Sequence, residues 1–213
     1  MKIALYGATG NVGSRLLAEA LRRGHDVTAV VRDPARLNVT DPRLTVVTGD
    51  ATDPAGVAAA VAGHDAVIGS ISGRRDHDAG KIAAAARALI EGARKAGVRR
   101  ILWVGGAGTL EVAPGRRLLD SPDFPEAYKP EANAGAEALE AFRGAPEGVD
   151  WSYLSPAAEI GPGERTSLFR IGGDEFMTDA AGKSFISFED YAVAMLDEVE
   201  NPKHVRRRFS VAY

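Results

Sequence analysis

Cysteine is absent from these 213 residues, which removes disulfides, thiolate metal sites and a cysteine nucleophile together. Strong charge of either sign is lacking too: 26 Lys and Arg against 29 Asp and Glu leave a formal net charge of −3. Chains that hold nucleic-acid phosphates with clustered cations are usually basic. The basic spots Arg22-Arg23, Arg99-Arg100, Arg116-Arg117 and Arg206-Arg207-Arg208 are scattered, as solvated helix ends and strand edges are. No apolar run is long enough to span a bilayer, and no signal sequence precedes the first strand pattern. The expectation is a soluble cytoplasmic protein with neither a nucleic-acid nor a membrane partner. His25, His64, His77 and His204 lack metal-ligand spacing, and no Gly-x-Ser-x-Gly elbow exists for a serine hydrolase. Only two tryptophans occur, Trp103 and Trp151, and both fall inside strand patterns that read as core.

Glycine, by contrast, is placed with purpose at the start. An apolar run from Ile3 to Tyr6 breaks at Gly7, and Gly10 and Gly13 follow at three-residue spacing. Leu16, Leu17, Ala20 and Leu21 then share one helical face. Strand, glycine turn and helix in this order form a dinucleotide-binding unit. Gly7 turns the chain off the strand, Gly10 leaves room for a pyrophosphate, and Gly13 lets the helix press onto the sheet. Unpaired N–H groups at the helix start then face the phosphates.

Short apolar runs and helical stretches alternate through the first two thirds. Strands are predicted at 2–6, 26–32, 44–48, 66–70, 100–104 and 150–154, with helices near 11–23, 54–62, 79–96 and 130–142. Runs that are apolar throughout, such as Ala66-Val67-Ile68, are those of strands buried on both faces. The alternation predicts an α/β, Rossmann-like doubly wound parallel sheet with a small C-terminal substrate lobe. We expect one NAD(P)-binding domain over 1–213, with a cofactor core at 1–154 and the lobe at 155–213. Two stretches break the rhythm. Residues 105–129 are rich in Gly and Pro beyond a strand's end, where open α/β sheets place ligands. After Ser155-Pro156 come a short strand near 168–171, a helix near 188–199 and a last strand near 207–212.

The motifs Gly-Ala-Thr-Gly-Asn-Val-Gly at 7–13, Val-Arg-Asp-Pro at 31–34 and Gly-Asp-Ala-Thr-Asp at 49–53 carry a family resemblance. So do Val-Gly-Gly-Ala-Gly at 104–108, Leu-Ser-Pro-Ala at 154–157, Pro-Gly-Glu-Arg-Thr at 162–166 and Asp-Tyr-Ala-Val-Ala at 190–194. Together they resemble the atypical short-chain dehydrogenases/reductases, in particular the NADH-flavin reductase group related to biliverdin reductase B and NmrA-like proteins. The resemblance implies that Gly7, Thr9, Gly10, Asn11, Val12 and Gly13 hold a pyrophosphate. It implies Asp50 and Ala51 at the adenine, with Ser70, Ile71 and Ser72 along the ribose and pyrophosphate. Gly105, Gly106, Ser155 and Pro156 would border the nicotinamide.

Arg32 ends the second predicted strand, where the fingerprint expects the side chain that chooses between cofactors. A guanidinium there can grip a 2′-phosphate with two parallel hydrogen bonds, which favours NADP(H) over NAD(H). Asp33 beside it offers a carboxylate to a ribose instead, and Arg36 a second cation. Asp50 has an equally plain alternative, the capping of a turn.

The larger branches of the superfamily use Tyr-x-x-x-Lys, and no such sequence exists here: Tyr128 is followed four residues on by Ala132. Tyr128 remains the candidate catalytic residue. The reading is an NAD(P)H-dependent oxidoreductase that transfers hydride to a flavin or quinone-like acceptor without that shuttle. Flavin would be a substrate, and Phe124, Tyr128 and Phe169 are candidate walls for its ring. Two rivals stand beside it. One is a non-catalytic NADP-binding regulator, and the other an epimerase, isomerase or dehydratase with Tyr128 or Glu131 as its acid/base group. Asp76-His77-Asp78 is read as a polar surface loop.

Overall fold

A computed structural model describes residues 1–73 and 78–213. β1 (Lys2–Tyr6) runs through the glycine turn into α1 (Asn11–Arg22), followed by β2 (Asp26–Val31) and β3 (Leu44–Thr48). Next come α2 (Pro54–Val61), β4 (Ala66–Gly69), α3 (Gly80–Lys95) and β5 (Arg100–Val104). A long excursion carries β6 (Glu111–Ala113) and β7 (Arg116–Arg117), and α4 (Lys129–Arg143) and β8 (Asp150–Ser155) return to the sheet. The chain continues through β9 (Glu159–Gly161), β10 (Arg170–Gly172), β11 (Phe185–Ser187), α5 (Phe188–Glu200) and β12 (Arg207–Ala212).

Eight strands form one sheet in the order β10-β12-β8-β5-β4-β1-β2-β3. Every neighbouring pair in it is parallel except β10 with β12. The fold is α/β and Rossmann-like. β4 is buried along its whole length, as a strand covered on both faces must be. Helices α1 and α5 cover one face, where Leu16, Leu17, Ala20 and Leu21 meet Tyr191, Met195 and Leu196. Each buried leucine contributes roughly 1.5–3 kcal/mol through the water it leaves. Helices α2, α3 and α4 cover the other face over Val57, Leu89, Trp103, Phe142 and Trp151. The Phe142 ring lies 5.5 Å from that of Trp103 and 5.9 Å from that of Trp151, so both tryptophans are core.

From β1 the chain winds outward to β2 and β3, then crosses back over β1 to β4 and continues to β5 and β8. The winding therefore reverses between β1 and β4, and a crevice opens there at the carboxyl ends of the strands.

The stretch expected as a lobe is divided. β10 and β12 extend the main sheet and α5 lies against α1, because their apolar faces complete the core on that side. The stretches on either side of β10, 156–169 and 173–187, stand outside that sheet and carry the small pair β9 and β11. The pairs β6–β7 and β9–β11 are too short to show a period in the sequence. Asp76 and His77 lie outside the described residues.

Candidate functional site

Gly7 turns with φ +84°, a conformation that favours glycine, and a Cβ there would overlap the Ser70 carbonyl. A Cβ on Gly13 would overlap the Gly7 carbonyl. These two glycines are thus demanded by the protein's own backbone. Gly10 is different: the nearest atom to a Cβ there is the Gly7 carbonyl oxygen, at 3.3 Å. Its extended φ of −84° suits any residue.

Gly10 is also the cap of α1, and among the described residues no side chain caps that helix end. No acidic residue sits in its first turn. The first N–H groups of a helix and its partial positive charge suit an anion. Thr9 and Val12 are half-buried around the turn, and Asn11 is exposed. An uncapped, unneutralised helix start behind a glycine clearance fits an anionic pyrophosphate.

The adenosine side is built from the ends of β2 and β3. Arg32 is exposed just beyond β2. Asp33 is already committed, since its Oδ1 accepts from Ala35 N at 3.1 Å and caps a short 3-10 turn over Pro34–Arg36. One oxygen of the carboxylate considered as a rival partner for a ribose is thereby used, and Oδ2 is left. Asp50 does cap a turn, accepting at Oδ1 from Thr52 N and Thr52 Oγ1, both at 2.8 Å. Those two bonds lower its pKa most, and the charges of Arg32 and Lys81 add to the effect. Ala51 is buried beside it.

On the other side of β1, Ser70 follows β4 and donates its N–H to the Tyr6 carbonyl at 3.0 Å. Ile71 packs on the α2–α3–α4 core, and Ser72 is exposed. Ser72 Oγ donates to Glu131 Oε1 in α4 at 2.7 Å. At the end of β5, a Cβ on Gly105 would overlap the Tyr153 ring, whereas one on Gly106 would meet nothing within 4 Å. The openness expected of both glycines belongs to Gly106. Gly105 is glycine because Tyr153 occupies its space. Ser155 and Pro156 are buried at the end of β8. The Ser155 hydroxyl, like that of its β12 neighbour Ser210, has no hydrogen-bond partner among the described residues.

Tyr128 ends a 3-10 turn over Glu126–Tyr128 and is 52% exposed. Lys129 points its ammonium at Glu126, with which it pairs. Ala132, where a lysine would stand, packs on Gly108 so closely that a Cβ there would sit 2.9 Å from that of Ala132. Three other tyrosines are held elsewhere. Tyr153 OH donates to the Gly135 carbonyl at 3.0 Å, and burial pushes its pKa up to about 12. Tyr191 OH donates to the Leu154 carbonyl at 2.6 Å and is raised by burial. Tyr6 is pushed up to about 12 by burial and by Asp53. Phe169 is half-buried and packs on the α1–α5 core, ahead of the strand that pairs with β12.

The described histidines are structural. His25 bonds Glu200, His64 bonds Thr28, and His204 stacks on Phe209 while bonding Glu198. Asp78 pairs with Lys81 at 3.8 Å.

Two acidic residues that sequence reasoning left without a role hold the segment beside the crevice. Glu189 accepts from Arg15 Nε at 3.1 Å and from Gly163 N at 2.9 Å. Asp190, fully buried, accepts from Thr166 N at 2.9 Å, Ser167 N at 2.7 Å and Tyr213 OH at 2.8 Å. Their signal was present: Ser187-Phe188-Glu189-Asp190 has the spacing of a helix-capping box, and Ser187 does cap α5.

A glycine-rich turn at a topological switch point, ahead of an open helix start, defines an NAD(P)-binding protein of the Rossmann-like class. A family profile described as NAD(P)H-binding matches residues 7–202, and the chain belongs to that family. Solved structures agree over the whole length. The chain is 47% identical to a "putative exported protein" from Burkholderia pseudomallei, with a TM-score of 0.91 and 100% of each chain covered. It is 44% identical to a "putative epimerase" from Bacteroides thetaiotaomicron, TM-score 0.92, covering 100% of this chain and 96% of that one. A "putative NADH-flavin reductase" from Streptococcus pneumoniae is 32% identical, with a TM-score of 0.87 over 100% and 99% of the two chains. The chain is thus of the atypical short-chain dehydrogenase/reductase kind. Among the described residues no helix is long and apolar enough to cross a membrane.

Proposed function

We propose that this protein is an NADPH-dependent reductase that passes hydride to a flat acceptor, a flavin or a quinone-like ring, without a tyrosine–lysine proton shuttle. The observation that carries the reading is the packing of Ala132 on Gly108, in the place four residues beyond Tyr128. The position four residues beyond Tyr128 thus carries a methyl group and no lysine, and Lys129 is spent on Glu126. Bound nicotinamide supplies the hydride, and the acceptor takes it up with a proton from water, so the protein's part is geometry.

In this reading Gly7, Thr9, Gly10, Asn11, Val12 and Gly13 hold the pyrophosphate at the start of α1. Arg32 takes the 2′-phosphate with paired hydrogen bonds. Asp50, through the oxygen that Thr52 leaves, and Ala51 meet the adenine. Ser70, Ile71 and Ser72 lie along the ribose. Gly106 admits the nicotinamide edge, with Gly105, Ser155 and Pro156 as the floor. The excursion at 105–129 and the segment before α5 enclose the acceptor. The compartment that fits is the cytoplasm, where NADPH is regenerated.

A second reading, an epimerase, isomerase or dehydratase with transient use of the nicotinamide, is favoured by the description of the Bacteroides protein and by a carboxylate, Glu131, beside Ser72. One assay separates them: oxidation of NADPH and NADH against a panel of flavins, quinones and dyes. The expected result is faster consumption of NADPH with at least one flavin or quinone. Tyr128→Phe should stay within about tenfold of wild type, below the 10²–10⁴-fold that a general acid contributes. Tight NADP binding with no oxidation by any acceptor would instead mark a regulator. An inactive Tyr128→Phe with normal NADPH binding would favour the epimerase-like reading.

A further inference from the structure

The two faces of the sheet differ in how their helices share charge. On one face Arg23 of α1 bridges to Asp197 and Glu200 of α5, at 2.8 Å each. On the other face α3 and α4 carry opposite charges along a shared groove, and among the described residues no ion pair joins the two helices across it. The groove has a volume of about 1020 Å³. Arg87, Glu91 and Arg94 line it from α3, with Glu137 and Glu140 from α4. Arg87, Glu91, Arg94 and Glu137 are exposed and have no ion-pair or hydrogen-bond partner among the described residues. Glu140 pairs within its own helix, with Arg143 at 2.7 Å. The floor between the walls is apolar and mostly small, built from Ile90, Ala136, Ala141 and Ala145. Side chains of that size let another helix come close.

Such a groove is complementary to itself. Two arginines against one glutamate leave the α3 wall net positive, and two glutamates make the α4 wall negative. β4, β5 and β8 are parallel neighbours, so α3 and α4, which return between them, run parallel to each other. A two-fold axis through the groove, normal to the helices, lays α3 of one copy antiparallel across α4 of the other, and does so twice. Each crossing brings opposite signs together. We propose that a second copy of this chain fills the groove, forming an isologous dimer through α3 and α4. Helices of 16 and 15 residues side by side present a face of about 24 Å by 20 Å. Two such faces bury an area near the lower bound of about 1,000 Å² for a specific interface, so the dimer is a reversible one. The lining begins about two turns into α3, on the flank of the sheet and not at the strand ends, so each copy keeps its own crevice.

Sedimentation velocity on the full chain, over a range of concentrations, is the test. Wild type should pass from monomer to dimer as concentration rises, and added salt should weaken the dimer because its rim is charged. Two charge-reversed variants supply the comparison: Arg87→Glu with Arg94→Glu on α3, and Glu137→Arg with Glu140→Arg on α4. Each alone should self-associate about tenfold or more weakly than wild type, since like charges then meet at both crossings. An equimolar mixture of the two should restore the dimer. There a reversed α3 meets a reversed α4, and the two native helices meet each other. Far-UV circular dichroism of both should match wild type, as the altered side chains are on the surface. Arg87→Glu alone and Glu137→Arg alone serve the same comparison if either pair disturbs the fold. A wild type that stays monomeric at every concentration overturns the proposal. So does a dimer that either variant leaves intact, because the contact then lies on another face. Folded variants that stay monomeric when mixed overturn it as well, since the two-fold crossing of α3 on α4 requires the rescue.

Discussion

Gly7, Gly10 and Gly13 look alike in the sequence and do different work. Gly7 and Gly13 are required by backbone that would overlap any Cβ, whereas Gly10 has only the Gly7 carbonyl oxygen near, at 3.3 Å. A leucine at Gly10 therefore needs a small local adjustment to fold, yet in the proposed cofactor placement its side chain would stand where the pyrophosphate lies. Gly10→Leu is expected to keep a far-UV circular dichroism spectrum like wild type and to lose NADPH binding by calorimetry. Retained NADPH affinity would show that the clearance at Gly10 is not ligand space. A leucine at Gly13 should prevent folding outright, since the Gly7 carbonyl has nowhere to go. The glycine spacing was legible from the chain alone, but which glycine serves the ligand required the contacts. Asp33 and Asp50 teach the same lesson: both stand where a ribose or an adenine partner is expected, and both have an oxygen spent on nearby backbone N–H groups. Asp side chains compete locally in this way, and sequence position does not say which partner wins.

The regular elements were the most readable part of the chain. Buried parallel strands such as β4 are apolar without interruption, and α1 shows its face through Leu16, Leu17, Ala20 and Leu21. The short strands β6, β7, β9 and β11 left no trace, because two or three residues cannot display alternation. Contacts between distant elements were also hidden. The motifs Pro-Gly-Glu-Arg-Thr and Asp-Tyr-Ala-Val-Ala are bound to each other, with Asp190 accepting from Thr166 N and Ser167 N, and nothing in either motif announces the other. Glu19 is a similar hidden tie. It lies on α1, 5% exposed, and accepts from Arg22 Nε at 2.9 Å, Arg23 Nε at 2.7 Å and Arg165 Nε at 2.9 Å. Burial opposes its ionisation, but the guanidinium hydrogen bonds of Arg22, Arg165 and Arg23 prevail and hold the carboxyl far below the usual range. A folded-state pKa below the unfolded value of about 4.3 gives stability that is full above that pH and fades as the pH falls toward the folded value. Glu19→Gln should therefore cost about 1.5–3 kcal/mol at neutral pH, the worth of hydrogen bonds to a charged group. The gap from wild type should narrow in thermal melts below about pH 4. A gap as large at pH 3 as at pH 7 would mean that packing, and not the charge, is what Glu19 contributes.

At the scale of the molecule, the residues after β8 are joined to the cofactor core through the sheet and through its helices. β12 pairs with β8 inside the main sheet, β10 pairs with β12, and α5 covers the same face as α1. Arg165 binds Glu19, and Arg15 binds Glu189, so the segment before α5 is fastened to the helix that opens the cofactor site. Elements that share one sheet and one core lose their support together. We expect one unfolding transition, with far-UV circular dichroism and the fluorescence of Trp103 and Trp151 changing at the same temperature. The cofactor should shift that transition without splitting it, since the crevice draws on the ends of β1, β2, β3, β4, β5 and β8 at once. A ligand that binds only the native state at 100 times its Kd stabilises by about 2.7 kcal/mol. For a domain of this size each kcal/mol raises Tm by about 2–4 °C, so saturating NADPH should raise it by about 5–10 °C. NADH at the same concentration should raise it less if Arg32 grips the 2′-phosphate, and Gly10→Leu should show no shift with either. Two separated transitions, or a ligand shift in the dichroism with none in the fluorescence, would show that residues beyond β8 fold as a unit of their own and that the ties through Glu19 and Glu189 are incidental.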